Sequence, residues 1–139
     1  MIKKLFKYSL VVVSMGLLFN SCEFDDLGVA NSIEGVWSVQ EEHEDLGVNA
    51  YQVEILVSPE DPNEVHIYNF LHLGNGLSTN IFATALVDGN ELIIPQQTID
   101  GHTISGTGVI SSGRDEIQLS HTDNYGSGNA QVDATYTSN

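Results

Sequence analysis

The residues best equipped for chemistry in this chain are five histidines, His43, His66, His72, His102 and His121, a single cysteine, Cys22, and nineteen carboxylates. An imidazole can bind a metal or pass a proton near neutral pH. Two ligands on one face of a strand need i, i+2 spacing, and no two of these histidines have it. His102 and His121 share the alternation of the apolar residues around them, so they could meet inside a sheet. The plain expectation for such residues is a hydrogen-bonded role at an open end of the fold, with hydrolysis there as a weaker alternative. Asp123 to Asn129 offers oxygen donors and glycines but lacks the spacing and terminal Glu of a calcium loop, and reads as a hairpin connection. No metal or other cofactor is expected.

The catalytic patterns that a sequence can display are missing too: no Gly-x-Ser-x-Gly elbow, no His-Glu-x-x-His and no phosphate-cradling glycine loop. Adjacent acids occur at Glu41-Glu42 and Asp115-Glu116. Neighbours along a strand point to opposite faces, so neither pair can form an acid/base couple. The chain reads as a binding protein, not an enzyme, with no catalytic residue assigned.

The elements that would position these groups are strands. From Gly35 onward the apolar period is two. Trp37 and Val39 open it; Tyr51, Val53, Ile55 and Val57 follow, then Val65 and Ile67. Ile81, Ala83, Ala85 and Val87 share one face, as do Leu92 and Ile94. Ile104, Gly106, Gly108 and Ile110 come next, then Ile117 and Leu119, and finally Val132, Ala134 and Tyr136. Turn residues separate these runs at Pro59–Asn63, Asp88-Gly89-Asn90, Asp100-Gly101, Ser111-Ser112-Gly113 and Gly126–Asn129. Short strands joined in sequence by tight turns predict an all-β fold, an eight-stranded antiparallel up-and-down barrel, with a two-sheet sandwich as the alternative.

The N-terminus has a different grammar. Lys3, Lys4 and Lys7 precede an uncharged apolar run from Leu10 to Phe19, and Asn20-Ser21 leads to Cys22. That order is a secretory signal, with a core too short to span a bilayer. It resembles bacterial lipoprotein signals, in which a small residue precedes the cysteine that becomes the lipidated N-terminus, although Phe19 and Asn20 stand where Leu and Ala or Ser are commoner. The resemblance implies a signal peptide over 1–21, lipidation of Cys22 with diacylglycerol and palmitate-type chains, an acidic tether over 22–34 and a barrel domain over 35–139. It also implies export to the cell envelope and a membrane anchor, in the outer membrane of a Gram-negative bacterium. Glu23-Phe24-Asp25-Asp26 resembles an acidic surface-export signal, or serves as a solvated linker.

Without the signal, Arg114 is the only Lys or Arg left against all nineteen acids. Nothing in such a chain would neutralise phosphate, which excludes nucleic acid and anionic lipid surfaces as partners.

Gly35-Val36-Trp37 resembles the Gly-x-Trp opening of lipocalins and other calycin barrels, in which the tryptophan plugs the closed end. The stretch from Asn69-Phe70 through Ile93–Gln97 to Ser105–Gly108 and Ile117–Ser120 is similar to small lipocalin-like lipoproteins. A disulfide and a C-terminal helix, both lipocalin features, are lacking. An eight-strand barrel can be filled by side chains or hold one small ligand. Trp37, Ala83, Ala85, Gly106, Gly108 and Tyr136 would line a pocket for a small apolar or amphipathic molecule, unless the glycines serve to bend the sixth strand. Tyr68, Phe70, Phe82 and Leu86 would form an outward apolar patch for a partner protein.

Overall fold

The computed structural model describes residues 30–74, 76–77, 80–126 and 128–139. The signal peptide, Cys22 and the acidic stretch that follows it lie outside these residues. Eight strands follow in chain order: β1 (Gly35–His43), β2 (Gly47–Val57), β3 (Glu64–Tyr68), β4 (Phe82–Asp88), β5 (Glu91–Ile99), β6 (His102–Ile110), β7 (Glu116–Asn124) and β8 (Asn129–Ser138). Each pairs antiparallel with the next, and β8 returns to β1, so the sheet closes into an up-and-down barrel with no free edge.

The alternation read from the sequence is the alternation of burial. On β7 the pattern is strict, with Ile117, Leu119, His121 and Asp123 buried and their neighbours exposed. Every inward set predicted from Trp37 to Tyr136 faces the interior, where the aliphatic residues form one continuous core. A slip of one residue would have turned each set outward, so burial itself fixes the register.

One end of the barrel is plugged. A short 3-10 turn at Asn31–Ile33 tucks Ile33 into the core, and the Trp37 indole Nε1 donates to the Ile33 carbonyl at 3.0 Å. The packed unit therefore already includes residues 30–33, which the sequence reading assigned to the tether. Because β1 runs from this plugged end to the other, β1, β3, β5 and β7 end and β2, β4, β6 and β8 begin at the far end, the mouth.

Two local devices shape the wall. Ile94 and Gln97 flank a register shift on β5 at Pro95, which has no N–H for the ladder. There the Gln97 side chain pairs with β4 in place of a strand: its Oε1 accepts from the Thr84 N–H and its Nε2 donates to the Thr84 carbonyl, both at 2.8 Å. On β6, a Cβ added to Gly106 would stand 2.3 Å from the Ser120 carbonyl oxygen and 2.4 Å from the His121 Cβ. Glycine at 106 is what lets β6 lie this close to β7.

Candidate functional site

Continuing the inward frame toward the mouth replaces apolar side chains with polar ones. On β1, Trp37 and Val39 give way to Glu41 and His43; on β7, Ile117 and Leu119 give way to His121 and Asp123, all four buried. Buried polar groups must find partners or carry a penalty, and most of these do. Asp123 is 0% exposed, and both its oxygens are engaged, Oδ2 by His43 Nε2 at 3.0 Å and Oδ1 by His102 Nδ1 at 2.8 Å.

The tautomers follow from the backbone. The amides of Asp45 and Leu46, in the β1–β2 turn, both donate to His43 Nδ1 at 3.2 Å. That nitrogen must be the bare one, so Nε2 carries the hydrogen and donates to Asp123. His102 likewise donates from Nδ1, and in the neutral ring this leaves Nε2 as a lone pair at the partly exposed edge.

Beside this chain lies a second one. The Tyr51 hydroxyl donates to Glu41 Oε1 at 2.7 Å, and the His72 ring stacks on Tyr51 at 5.2 Å, nearly parallel. Burial holds the Glu41 carboxyl above the ordinary carboxylate range and Asp123 adds to the effect, while the Tyr51 hydrogen bond and His43 partly offset it. Burial also raises Tyr51 and Tyr136 well above a free phenol. His121 is 2% exposed; burial lowers its pKa to about 4. Its Nδ1 faces the Thr122 carbonyl at 3.4 Å, and its buried Nε2 has no partner.

A loop closes over the inner part of the mouth. Asn69, Leu71 and His72 all adopt left-handed backbone, with φ of 66°, 56° and 56°, a conformation that non-glycine residues resist. Asn69 is tied down on both sides, donating from Nδ2 to the Gln52 carbonyl at 2.8 Å and accepting from the Gly74 amide at 3.2 Å. The result sends the Phe70 ring inward, 5.0 Å from His121. What stays open is a cleft of about 350 Å³ lined by Glu41, His43, Asn49, His102 and Asp123 on its polar side and by Leu46, Val48, Leu71 and Leu73 on its apolar side. Leu46 and Val48 are 73% and 76% exposed, an apolar rim in front of a buried polar floor. A wider trough of about 490 Å³ runs along β1, β7 and β8. Several of its outward polar walls bond one another, as Thr135 does to Gln118, so the mouth is the more distinctive site.

The residues expected to line a ligand pocket are all on the barrel and turned inward, but not at this cleft. Trp37 belongs to the plug. Ala83 and Ala85 oppose Ile67 and Val65 across β3 and β4, and Tyr136 is buried between Val39 and Ile117. Gly106 and Gly108 close on β7, where added Cβ atoms would stand 2.3 Å and 3.0 Å from backbone oxygens. At these two positions the space that a side chain would need is taken up by β7.

The outward patch needs one correction. Phe70 is 0% exposed and belongs to the core. The strand period ends at Tyr68, and the left-handed Asn69 swings the next side chain to the inside. Tyr68 and Phe82 do face outward, ring centroids 5.2 Å apart, and His66 stacks on Phe82 at 4.2 Å. Leu86 and Leu56 are partly exposed on the same wall. Of the histidines, His102 and His43 share Asp123, while His121 lies deeper on β7. Glu41 and Asp123 were overlooked among many acids, yet the signal was there: both sit in the inward frame of their strands. Among the described residues no group of three or more His, Cys, Asp or Glu is arranged to hold a metal ion.

No family model and no curated protein matches the sequence. Among solved structures the chain is similar to a redesigned β-barrel, at 15% identity and a TM-score of 0.51, over 80% of this chain and 95% of that one. That likeness shows the fold alone.

Proposed function

We propose that this protein is a lipid-anchored β-barrel of the bacterial cell envelope that binds a small amphipathic molecule at its mouth and does not transform it. The observation that carries the reading is the cleft itself: hydrogen-bonded Glu41, His43 and Asp123, all buried, with half-buried His102 on one side, and exposed Leu46 and Val48 with Leu71 and Leu73 on the other. Small-molecule sites combine apolar walls with a few fixed polar groups in this way. The imidazoles use their bonded nitrogens on Asp123 and on backbone amides, an arrangement that holds a carboxylate still without activating a hydroxyl.

The anchor is proposed at Cys22, and the topology gives it a direction. The described chain enters the barrel at the plugged end, so a tether attached there would leave the mouth turned away from the anchoring surface. Metabolic labelling with a palmitate analogue tests the anchor: Cys22→Ser should lose label and membrane association together. Titrating short amphiphiles while following the amides of Leu46 and Gly47 tests the site. Saturable shifts confined to the mouth are expected, and their absence would remove the binding reading.

A second reading has its own support. His66, Tyr68 and Phe82 form an outward aromatic cluster next to Leu56 and Leu86, and apolar patches of this kind serve as docking surfaces. In that reading the protein is an accessory or inhibitor subunit. Photo-crosslinkers placed at Tyr68, Phe82 and Leu86 in intact cells should trap one defined neighbour; crosslinking no different from that at the outward Gln118 would sink the idea.

A further inference from the structure

We infer that the polar end of the mouth ligand is an organic cation with N–H donors, such as an alkylammonium; this rests on the binding reading above and names the chemistry of its ligand. The inference comes from what the polar groups of the site can still accept. Tyr51 uses one oxygen of Glu41, leaving the other oxygen of that carboxyl. Asp123 is saturated by two imidazoles, and in the neutral ring the His102 bond puts the hydrogen on Nδ1 and leaves Nε2 as a lone pair beside the cleft. His43 has no hydrogen to give, because its Nδ1 accepts from two amides and its Nε2 hydrogen goes to Asp123. Among the side chains lining the polar wall, Glu41 and His102 therefore offer acceptors, and the Asn49 amide at the outer edge is the one group that can also donate.

A second, independent observation agrees. Inward on β7, one alternation step deeper than Asp123, His121 keeps a buried Nε2 with no partner. There too a buried ring nitrogen stands without a donor facing it.

Charge points the same way. Glu42, Glu44, Asp45 and Asp100 belong to the mouth ends of β1 and β5 and their turns, whereas Arg114 lies in the β6–β7 connection at the plugged end, its guanidinium donating to the Gly89 carbonyl. An anionic head would meet lone pairs and negative charge with only the neutral Asn49 amide to answer them. An alcohol could satisfy one acceptor. An ammonium has three donors and the opposite sign, and hydrogen bonds between charged partners are the strong ones. Its alkyl chain would lie on Leu46, Val48, Leu71 and Leu73.

The experiment uses three probes of one shape, n-butylamine, n-butanol and butanoate, titrated into the full-length protein purified in detergent at constant ionic strength, read from the Leu46 and Gly47 amides. The ammonium should bind about tenfold or more tightly than the alcohol, and butanoate should give no saturable shift. Glu41→Gln should weaken ammonium binding by about tenfold and so remove that preference, with the Trp37 indole resonance unchanged as the sign of an intact fold. If the alcohol or butanoate binds as tightly as the ammonium, the cation inference is overturned and the amphiphile site stands. If none of the three binds, both fall. Should Glu41→Gln not fold, the wild-type series alone decides.

Discussion

The Tyr51 hydroxyl donates to Glu41 Oε1 at 2.7 Å inside the mouth of the barrel. One hydrogen bond does not repay the removal of a carboxylate from water, which is why burial dominates and the Glu41 pKa is raised from 4.5.

A raised acid pKa means that the folded state binds the proton more tightly than the unfolded chain. The stability Glu41 contributes therefore falls as pH rises from about 4.5 to its folded value, and the penalty is complete above that. Glu41→Gln keeps an acceptor for Tyr51 and carries no charge. Urea unfolding at neutral pH should find this variant more stable than wild type by about 1 kcal/mol, with the difference closing as the pH drops below the ordinary carboxylate range. A variant that is clearly less stable at neutral pH would show that His43 and His72 hold the charge favourably.

His121 works in the opposite sense. Its pKa is lowered from 6.5 to about 4, so the unfolded chain takes up the proton first and stability drains away as pH falls through that window. The loss amounts to about 3 kcal/mol once the window is crossed. Asp123, Asp133 and His43 are the charged and titratable neighbours that act on it. His121→Leu removes the titrating nitrogen and the orphaned Nε2 together. Acid unfolding followed by far-UV circular dichroism should shift its midpoint to lower pH in the variant. An unchanged midpoint would mean that acid lability comes from other carboxylates.

These two residues also show how far the sequence can be read. Period-two alternation determines which side of the wall each residue occupies, because misplacing one residue misplaces the whole strand. The inward frame was therefore legible from Trp37 to Tyr136, and carried two steps further it points to Glu41, His43 and Asp123. Their partnership was not legible. His43 and Asp123 are eighty positions apart, and only barrel closure through β8 puts β7 and β1 on one mouth. Phe70 was misassigned for a different reason: three left-handed residues in a run of four follow from tertiary packing, against local preference. Gly106 was ambiguous because an absent side chain looks the same whether it leaves a pocket or admits a neighbouring strand.

That ambiguity can be tested directly. Gly106→Ala would put a methyl group 2.3 Å from the Ser120 carbonyl oxygen, with the backbone of β7 unable to retreat without breaking the β6–β7 ladder. At Gly108 the nearest contacts are 3.0 Å and 3.2 Å, the second to the tip of the Leu119 side chain, which can move. Urea denaturation should show Gly106→Ala losing about 3 kcal/mol or failing to fold, and Gly108→Ala losing about 1 kcal/mol. If both alanines are tolerated equally, space remains inside the barrel at this level, and a deeper ligand pocket regains support.

The inward turn of Phe70 makes the sharpest contrast on the molecule, because Tyr68 two residues earlier faces out. Alternation continued past Tyr68 would place the two rings side by side on the surface. With Asn69 at a φ of 66°, Phe70 is buried against His121 while Tyr68 packs on Phe82 at the wall. Deleting a buried phenylalanine leaves a cavity and costs about 3–5 kcal/mol; trimming a half-exposed tyrosine costs about 1 kcal/mol or less. Phe70→Ala should therefore lower the urea midpoint severalfold more than Tyr68→Ala and speed amide exchange at Leu73 and Gly74, whose amides bond to the Phe70 carbonyl and the Asn69 side chain. Equal, small effects from both substitutions would return Phe70 to the outer patch and open the loop that roofs the mouth.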